Sequence, residues 1–425
     1  MWNRKQIISG TAMFVVAVAS FVFSSAASAQ ALTWGGIVSG MPSCVSRSEL
    51  TSEDLVCVTL GTDNDLYSIR INPRTGAADG FWNIGPLRSL VGNPSCVASS
   101  APFVSCAVRG ELNELYGIIF DAVTLENTGL VRLDQSGEYR PLAGDPSCVN
   151  SGPVTDHGKL GPPRVSCGVR GTDNRLHVAS FLGNAQGISQ SLMEQADPDE
   201  VIVGDPSCAV AGGSFVVCLA RRTDSSLAII GWSPILGSIF GFPNPVGNGT
   251  EFHVNSLAGP TPFALGNPSC ASTRVKSQFI AAGGSVFVSG SVFCAIRGTD
   301  SALYLTRLGH DQNGVFASTY QSLGGILTND PSCASTRSRV VTCGVRGTDG
   351  YLYMIDIDTE TGSRSTYQQQ PMVIPGDAVC VSFSYRVELS FADQPDFERN
   401  VACAVLDLKN GLATVASVRP SLTQP

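Results

Sequence analysis

Little charge, few histidines and, beyond its opening residues, no long apolar run mark this sequence, and each shortage excludes something. Only 15% of the residues are charged, acidic side chains outnumber basic ones, and the formal net charge is -8. Such a chain lacks the positive surface that releases counterions from nucleic acid or holds an anionic membrane, so neither is expected as a partner. Its four histidines, His157, His177, His253 and His310, lie far apart and flank no nucleophile motif. GxSxG, HExxH and glycine-rich phosphate loops are all absent. The expectation is a protein without catalysis and without a cofactor. No CxxC pair or histidine-rich tract offers metal-binding spacing, so no metal site is expected from the cysteines.

The one strongly apolar run is at the start. Arg4 and Lys5 precede Met13–Phe23, and Ala27-Ser28-Ala29 supplies small residues for cleavage. Residues 1–29 therefore read as a secretory signal peptide cut before Gln30. A membrane anchor is the competing reading, but the run is short of the roughly 20 residues that a span needs. The mature chain, residues 30–425, is expected to be secreted, extracellular or periplasmic, with no membrane span. Losing the leader takes the net charge to -10.

What is abundant is repetition. Asp330-Pro331-Ser332-Cys333 is followed by Val341-Thr342-Cys343-Gly344-Val345-Arg346, then Gly347-Thr348-Asp349-Gly350, then Tyr351-Leu352-Tyr353. β-Branched and aromatic residues fill three runs, and Gly, Pro, Asp and Ser fill the gaps, which gives strand, turn, strand, tight turn, strand. The same phrase recurs seven times, clearly in repeats one, three, five and six, more weakly in two and four, and least in seven. Asp63, Asp173, Asp300 and Asp349 sit in its Gly-Thr-Asp turn, where the next residue must reach positive φ and the Asp side chain can bond nearby amides. One Asp per turn is too sparse for calcium, which needs several converging oxygens. Asp356–Gly362 looks more like a calcium loop, although a solvated hairpin tip explains it equally well.

All 14 cysteines follow the leader, and they fall in couples at one place in each repeat. The expected bridges are Cys44–Cys57, Cys96–Cys106, Cys148–Cys167, Cys208–Cys218, Cys270–Cys294, Cys333–Cys343 and Cys380–Cys403. An exported protein meets an oxidising compartment, and cysteines opposed across neighbouring antiparallel strands, about 4.5 Å apart at Cα, are near the lower end of disulfide geometry. Each bridge would pin the register of a Ser- and Gly-rich hairpin.

A fourth, more variable strand follows each three, ending at Trp82-Asn83-Ile84-Gly85 in the first repeat. Leu32–Ile37 reads as a fourth strand with no unit ahead of it, and Gly411–Val418 as a third strand with none behind. Joined, the ends close a ring. The expectation is an all-β, single-domain, seven-bladed β-propeller over residues 30–425, with four-stranded antiparallel blades, one disulfide per blade and closure by the N-terminal strand.

The recurring Pro-Ser-Cys opening with Gly-Thr-Asp-Asn-x-Leu-Tyr at the centre resembles the bacterial seven-bladed propeller lectins related to the Photorhabdus fucose-binding lectin and, more distantly, tectonins. The resemblance spans nearly all of residues 31–419 and implies sugar binding in shallow pockets at the blades, with glycans or glycoconjugates as partners. Sugars are held by an aromatic face and a few directed hydrogen bonds. The aromatic candidates are Tyr67, Trp82, Tyr116, His177, Tyr304 and Tyr353, and the donor candidates are Arg109, Arg170, Arg297 and Arg346. The competing reading packs these tyrosines between blades and spends the arginines on neighbouring carbonyls. A second possibility is a non-catalytic scaffold presenting the loops Gly152–Pro163, Ile235–Pro260 and Ser277–Gly290 to a protein partner.

Overall fold

The computed structural model describes residues 38–418 apart from 47–53, 73–77, 86–88, 100–101, 134–139, 157–158, 185, 197–198, 212–214, 233–251, 254–263, 274–290, 312–313, 318–319, 338, 388–395 and 408–411. Its strands form seven antiparallel sheets, each assembled from consecutive strands. The first comprises Ser43–Ser46, Leu55–Leu60, Leu66–Ile71 and Ala78–Gly85. The first strands of the sheets neighbour one another in order and in a closed circuit, with Ala378–Val387 of the last packing beside Ser43–Ser46 of the first. This is an all-β propeller whose core lies in layers between successive sheets. One such layer combines Val56, Val58 and Leu66 of the first sheet with Val104, Ile118 and Phe120 of the second.

Six sheets have at least the four strands expected, and the seventh has three: Ala378–Val387, Asp396–Asp407 and Leu412–Val418. The expectation of seven four-stranded blades is thus corrected to six four-stranded blades and one three-stranded sheet. The strand meant to complete it, Leu32–Ile37, lies outside the described residues, as does the leader. In the fifth sheet the fourth strand is split, Gly314–Ala317 and Gln321–Gly324 both pairing with Leu303–Asp311.

All seven disulfides join directly opposed residues of the first two strands in a sheet, with Cα atoms 3.9 or 4.0 Å apart. The local turn repeats as closely. Gly61 N donates to Asp65 O, Asn64 N donates to Gly61 O, and Asn64 takes φ 64°. Asn113, Asn174, Ser225, Ser301 and Gly350 take the same left-handed conformation in the next five sheets, which Asn and Gly tolerate and a tight hairpin requires.

Between sheets, the Asx-Pro-Ser-Cys phrase does work that strand reading does not reveal. Ser43 Oγ accepts from Cys96 N, and Ser95, Ser147, Ser207, Ser269 and Ser332 accept likewise from the bridging cysteine of the following sheet, at 2.8 or 2.9 Å. The Asx points the other way. Asn93 Oδ1 accepts from Met41 N, Asn267 Oδ1 from Asp205 N, Asp330 Oδ2 from Asn267 N and Asp377 Oδ1 from Asp330 N. Asp145 and Asp205 accept in the same way from the backbone amides of Asn93 and Asp145. Two side chains thus tie each of six joints to its neighbour. Burial pushes the carboxyls of Asp145, Asp205 and Asp330 above their ordinary range, only partly offset by these amides and by arginines.

Candidate functional site

The candidate residues divide into three groups. The ring after each turn is the first. Tyr67 OH donates to Asp63 Oδ2 at 2.6 Å, Tyr304 OH to Asp300 Oδ2 at 2.7 Å and Tyr353 OH to Asp349 Oδ2 at 2.6 Å. The other carboxylate oxygen accepts the amide two residues on, from Asp65, Ala302 and Tyr351 respectively. The ring lies over the turn glycine so closely that a Cβ on Gly61 would meet Tyr67 Cε2 at 2.7 Å. Glycine, aspartate and tyrosine therefore form one clasp that fixes the turn. The hydrogen bond to Asp300 raises the Tyr304 phenol, and the same bond lowers the Asp300 carboxyl. Tyr353 and Asp349 are shifted alike. Tyr116 packs against the layer between the first two sheets.

His177 replaces tyrosine in the third sheet. It is buried, and Nε2 lies 3.1 Å from Asp173 Oδ1. Burial holds the imidazole below its ordinary value and outweighs the pull of Asp173, so the ring is neutral near pH 7 and its Nε2–H donates to the carboxylate.

The arginines form the second group, three residues after the second cysteine of each of these couples. Arg109 Nη1 donates to Asn113 Oδ1 and Arg170 Nη1 to Asn174 Oδ1. Arg297 Nη1 donates to Thr328 O, and its Nη2 lies 3.4 Å from Asp330 Oδ1; Arg346 Nε donates to Ile374 O. These guanidinium groups bond the turns and the segments entering the next sheet.

Trp82 belongs to a third arrangement, on the outer strand of the first sheet. Its ring packs against the layer shared with the second sheet, as Tyr116 and Leu130 also do. The Arg70 Cζ lies over the ring, 5.8 Å from its centroid. Arg70 Nη2 donates to Asp79 Oδ2 at 2.6 Å, while its Nη1 donates to Val123 O of the second sheet at 3.3 Å. Phe81 meets Tyr67 edge-to-face, with centroids 6.3 Å apart, and Asn83 Nδ2 donates to Asp65 Oδ2. Trp82 is half-buried and Asp79 exposed. Where the first two sheets meet, an aromatic ring, a cation and a carboxylate thus stand side by side. At the matching register positions of the second, third, fifth and sixth sheets stand Val131, Glu194, Gln321 and Gln368, so none of these four carries a tryptophan there. Sequence reasoning named Trp82 but missed Arg70 and Asp79. Their signal was Trp82 itself, since Arg70 stands two residues beyond its cross-strand partner Ser68.

Asp358 Oδ1 accepts from the amides of Glu360 and Thr361, and Arg339 lies against Asp358 and Glu360. Asp358–Gly362 form a hairpin tip, whereas Asp356 is buried in the strand Tyr351–Asp358 and accepts from Thr342 Oγ1; among the described residues no group of three or more His, Cys, Asp or Glu converges to hold a metal. The segment Gly152–Pro163, expected as a loop, is largely strand: it continues the first two strands of the third sheet, Ser147–Asp156 and Lys159–Arg170. Of Ile235–Pro260 only Phe252–His253 is described, as a short outer strand; Ser277–Gly290 lies outside the described residues. No helix among the described residues is long and apolar enough to cross a membrane.

No protein-family model matches the chain, and neither does any curated protein. Solved structures do. The BP39L lectin from Burkholderia pseudomallei superposes with a TM-score of 0.58 at 12% identity, over 90% of this chain and 97% of that one. AofleA from Arthrobotrys oligospora gives 0.47 at 12% identity, over 81% and 90%. The six-bladed fucose-binding lectin of Aleuria aurantia gives 0.42 at 9% identity, over 78% and 96%.

Proposed function

We propose that this protein is a secreted, non-catalytic carbohydrate-binding propeller, and that the group of Trp82, Arg70 and Asp79 is its sugar site. The observation that carries the reading is the pairing of an indole ring with a cation and an adjacent exposed carboxylate on the outer strand. C–H groups of a pyranose stack on the indole, Asp79 accepts from sugar hydroxyls, and Arg70 donates to them. The overall likeness to the Burkholderia lectin supports the fold that this reading needs. A deoxy sugar such as fucose, with an apolar methyl beside its hydroxyls, suits such a surface. Tyr67 and Asn83 lie next to this group and complete the set; the clasped Tyr304, Tyr353 and His177 and the four arginines are support for turns and joints in this scheme. The ring has seven blades in the same proposal, Leu32–Ile37 supplying the outer strand of the last. The leader read from the sequence and the seven bridges support a location outside the cytoplasm.

A glycan array that includes α-fucosides tests the proposal, using oxidised protein with the leader removed. Binding that Trp82→Ala abolishes, with far-ultraviolet circular dichroism unchanged, supports the site. A blank array from folded protein, or binding indifferent to Trp82→Ala, refutes it. The extended hairpin of the third sheet favours a second reading, a scaffold for a protein partner, and a blank array turns attention there.

A further inference from the structure

We infer that the ring is built to open at one joint, between the last sheet and the first. The six other joints each carry the serine and the Asx described above. At this joint both positions are changed. Val379 stands where the serine would accept from Cys44 N, and Met41 stands where an Asx would accept from Asp377 N. Neither side chain has an oxygen.

The backbone records the same gap independently. A Cβ on Gly40, Gly92, Gly144, Gly204 or Gly266 would meet the side-chain oxygen of the next sheet's Asx, whereas beside Gly376 nothing stands within 4 Å among the described residues. Among the residues whose side chains are described, Ala402, Ala404 and Val381 of the last sheet meet Leu55, Ile69 and Ile71 of the first.

Opening of a ring in stages proceeds through its least stable boundary. With two polar ties absent, Ser43–Ser46 and Ala378–Val387 separate first, while the disulfides keep each hairpin intact. The joint is therefore a built-in point of compliance, where the ring can widen without losing its blades.

Amide hydrogen exchange on the intact, oxidised mature protein tests this. The amides of Cys44 and Asp377 are expected to exchange at least tenfold faster than those of Cys208 and Asn267 at tied joints. The double variant Met41→Asn/Val379→Ser restores both acceptors and is expected to slow those two amides roughly tenfold, leaving the other joints unchanged. Ser147→Ala removes one tie elsewhere and is expected to speed Cys208 alone. Equal exchange at all seven joints in the unaltered protein overturns the inference. So does a folded double variant whose Cys44 and Asp377 amides exchange as before; if that variant does not fold, equal exchange or its absence in the unaltered protein still decides.

Discussion

Two glycines at the same place in the repeat are expected to respond oppositely to alanine. Gly266 precedes Asn267 at a tied joint, and a Cβ there would overlap Asp330 Oδ1. That carboxylate is fixed, because Oδ2 accepts from Asn267 N at 2.9 Å and Oδ1 faces Arg297 Nη2 at 3.4 Å. Displacing it breaks an amide–carboxylate bond worth about 1.5–3 kcal/mol and a partly buried ion pair worth up to about 1 kcal/mol, so Gly266→Ala is expected to cost about 1.5–4 kcal/mol. At roughly 2.1 cal/mol/K of unfolding entropy per residue, that lowers the thermal midpoint of a chain this long by about 2–5 °C. Gly376→Ala meets open space at a backbone angle that any residue adopts. It is expected to be neutral or to stabilise by about 0.4–1 kcal/mol through the unfolded chain. Differential scanning calorimetry of the two variants side by side decides. Equal midpoints, or an unchanged Gly266→Ala, would refute the reasoning, because the two glycines hold the same place in the repeat and the expected difference rests on what the neighbouring sheet sets beside each.

Further tests follow from the same geometry. Burial keeps His177 below its ordinary 6.5, so the unfolded chain binds the proton more readily; this contribution to stability is full above about pH 6.5 and is lost as pH falls through the depressed value. His177→Tyr, which copies the clasp of the other sheets, is expected to remove that part of the fall in melting temperature between pH 7.5 and 5; an unaltered pH profile counts against it. Replacing both cysteines of Cys208–Cys218, with a separation of 10, is expected to cost about 2.7 kcal/mol, and of Cys270–Cys294, with a separation of 24, about 3.4 kcal/mol by loop closure. Denaturant midpoints that reverse this order would show that strand packing, not loop entropy, sets the cost. Adding a chelator is expected to leave the melting temperature unchanged, since Asp358 already caps its own turn.

The sequence by itself determined whatever repeats within one hairpin. Cysteine couples at a constant place gave the seven bridges, and Gly-Thr-Asp before a residue of positive φ gave the turn, because both depend on residues close along the chain or directly opposed in one pair of strands. It also placed the strand Leu412–Val418 to within a residue. Tertiary structure decided what crosses from sheet to sheet. The Ser and Asx of the opening phrase read as the start of a strand, yet their partners lie 47 to 64 residues away, in whichever sheet the ring sets alongside. Arg70 met Val123 only because the ring sets the second sheet beside the first. The last joint shows the division most clearly. Met41 and Val379 are ordinary departures from a repeat until the ring brings them together, and then they leave two backbone amides without the oxygens that every other joint supplies.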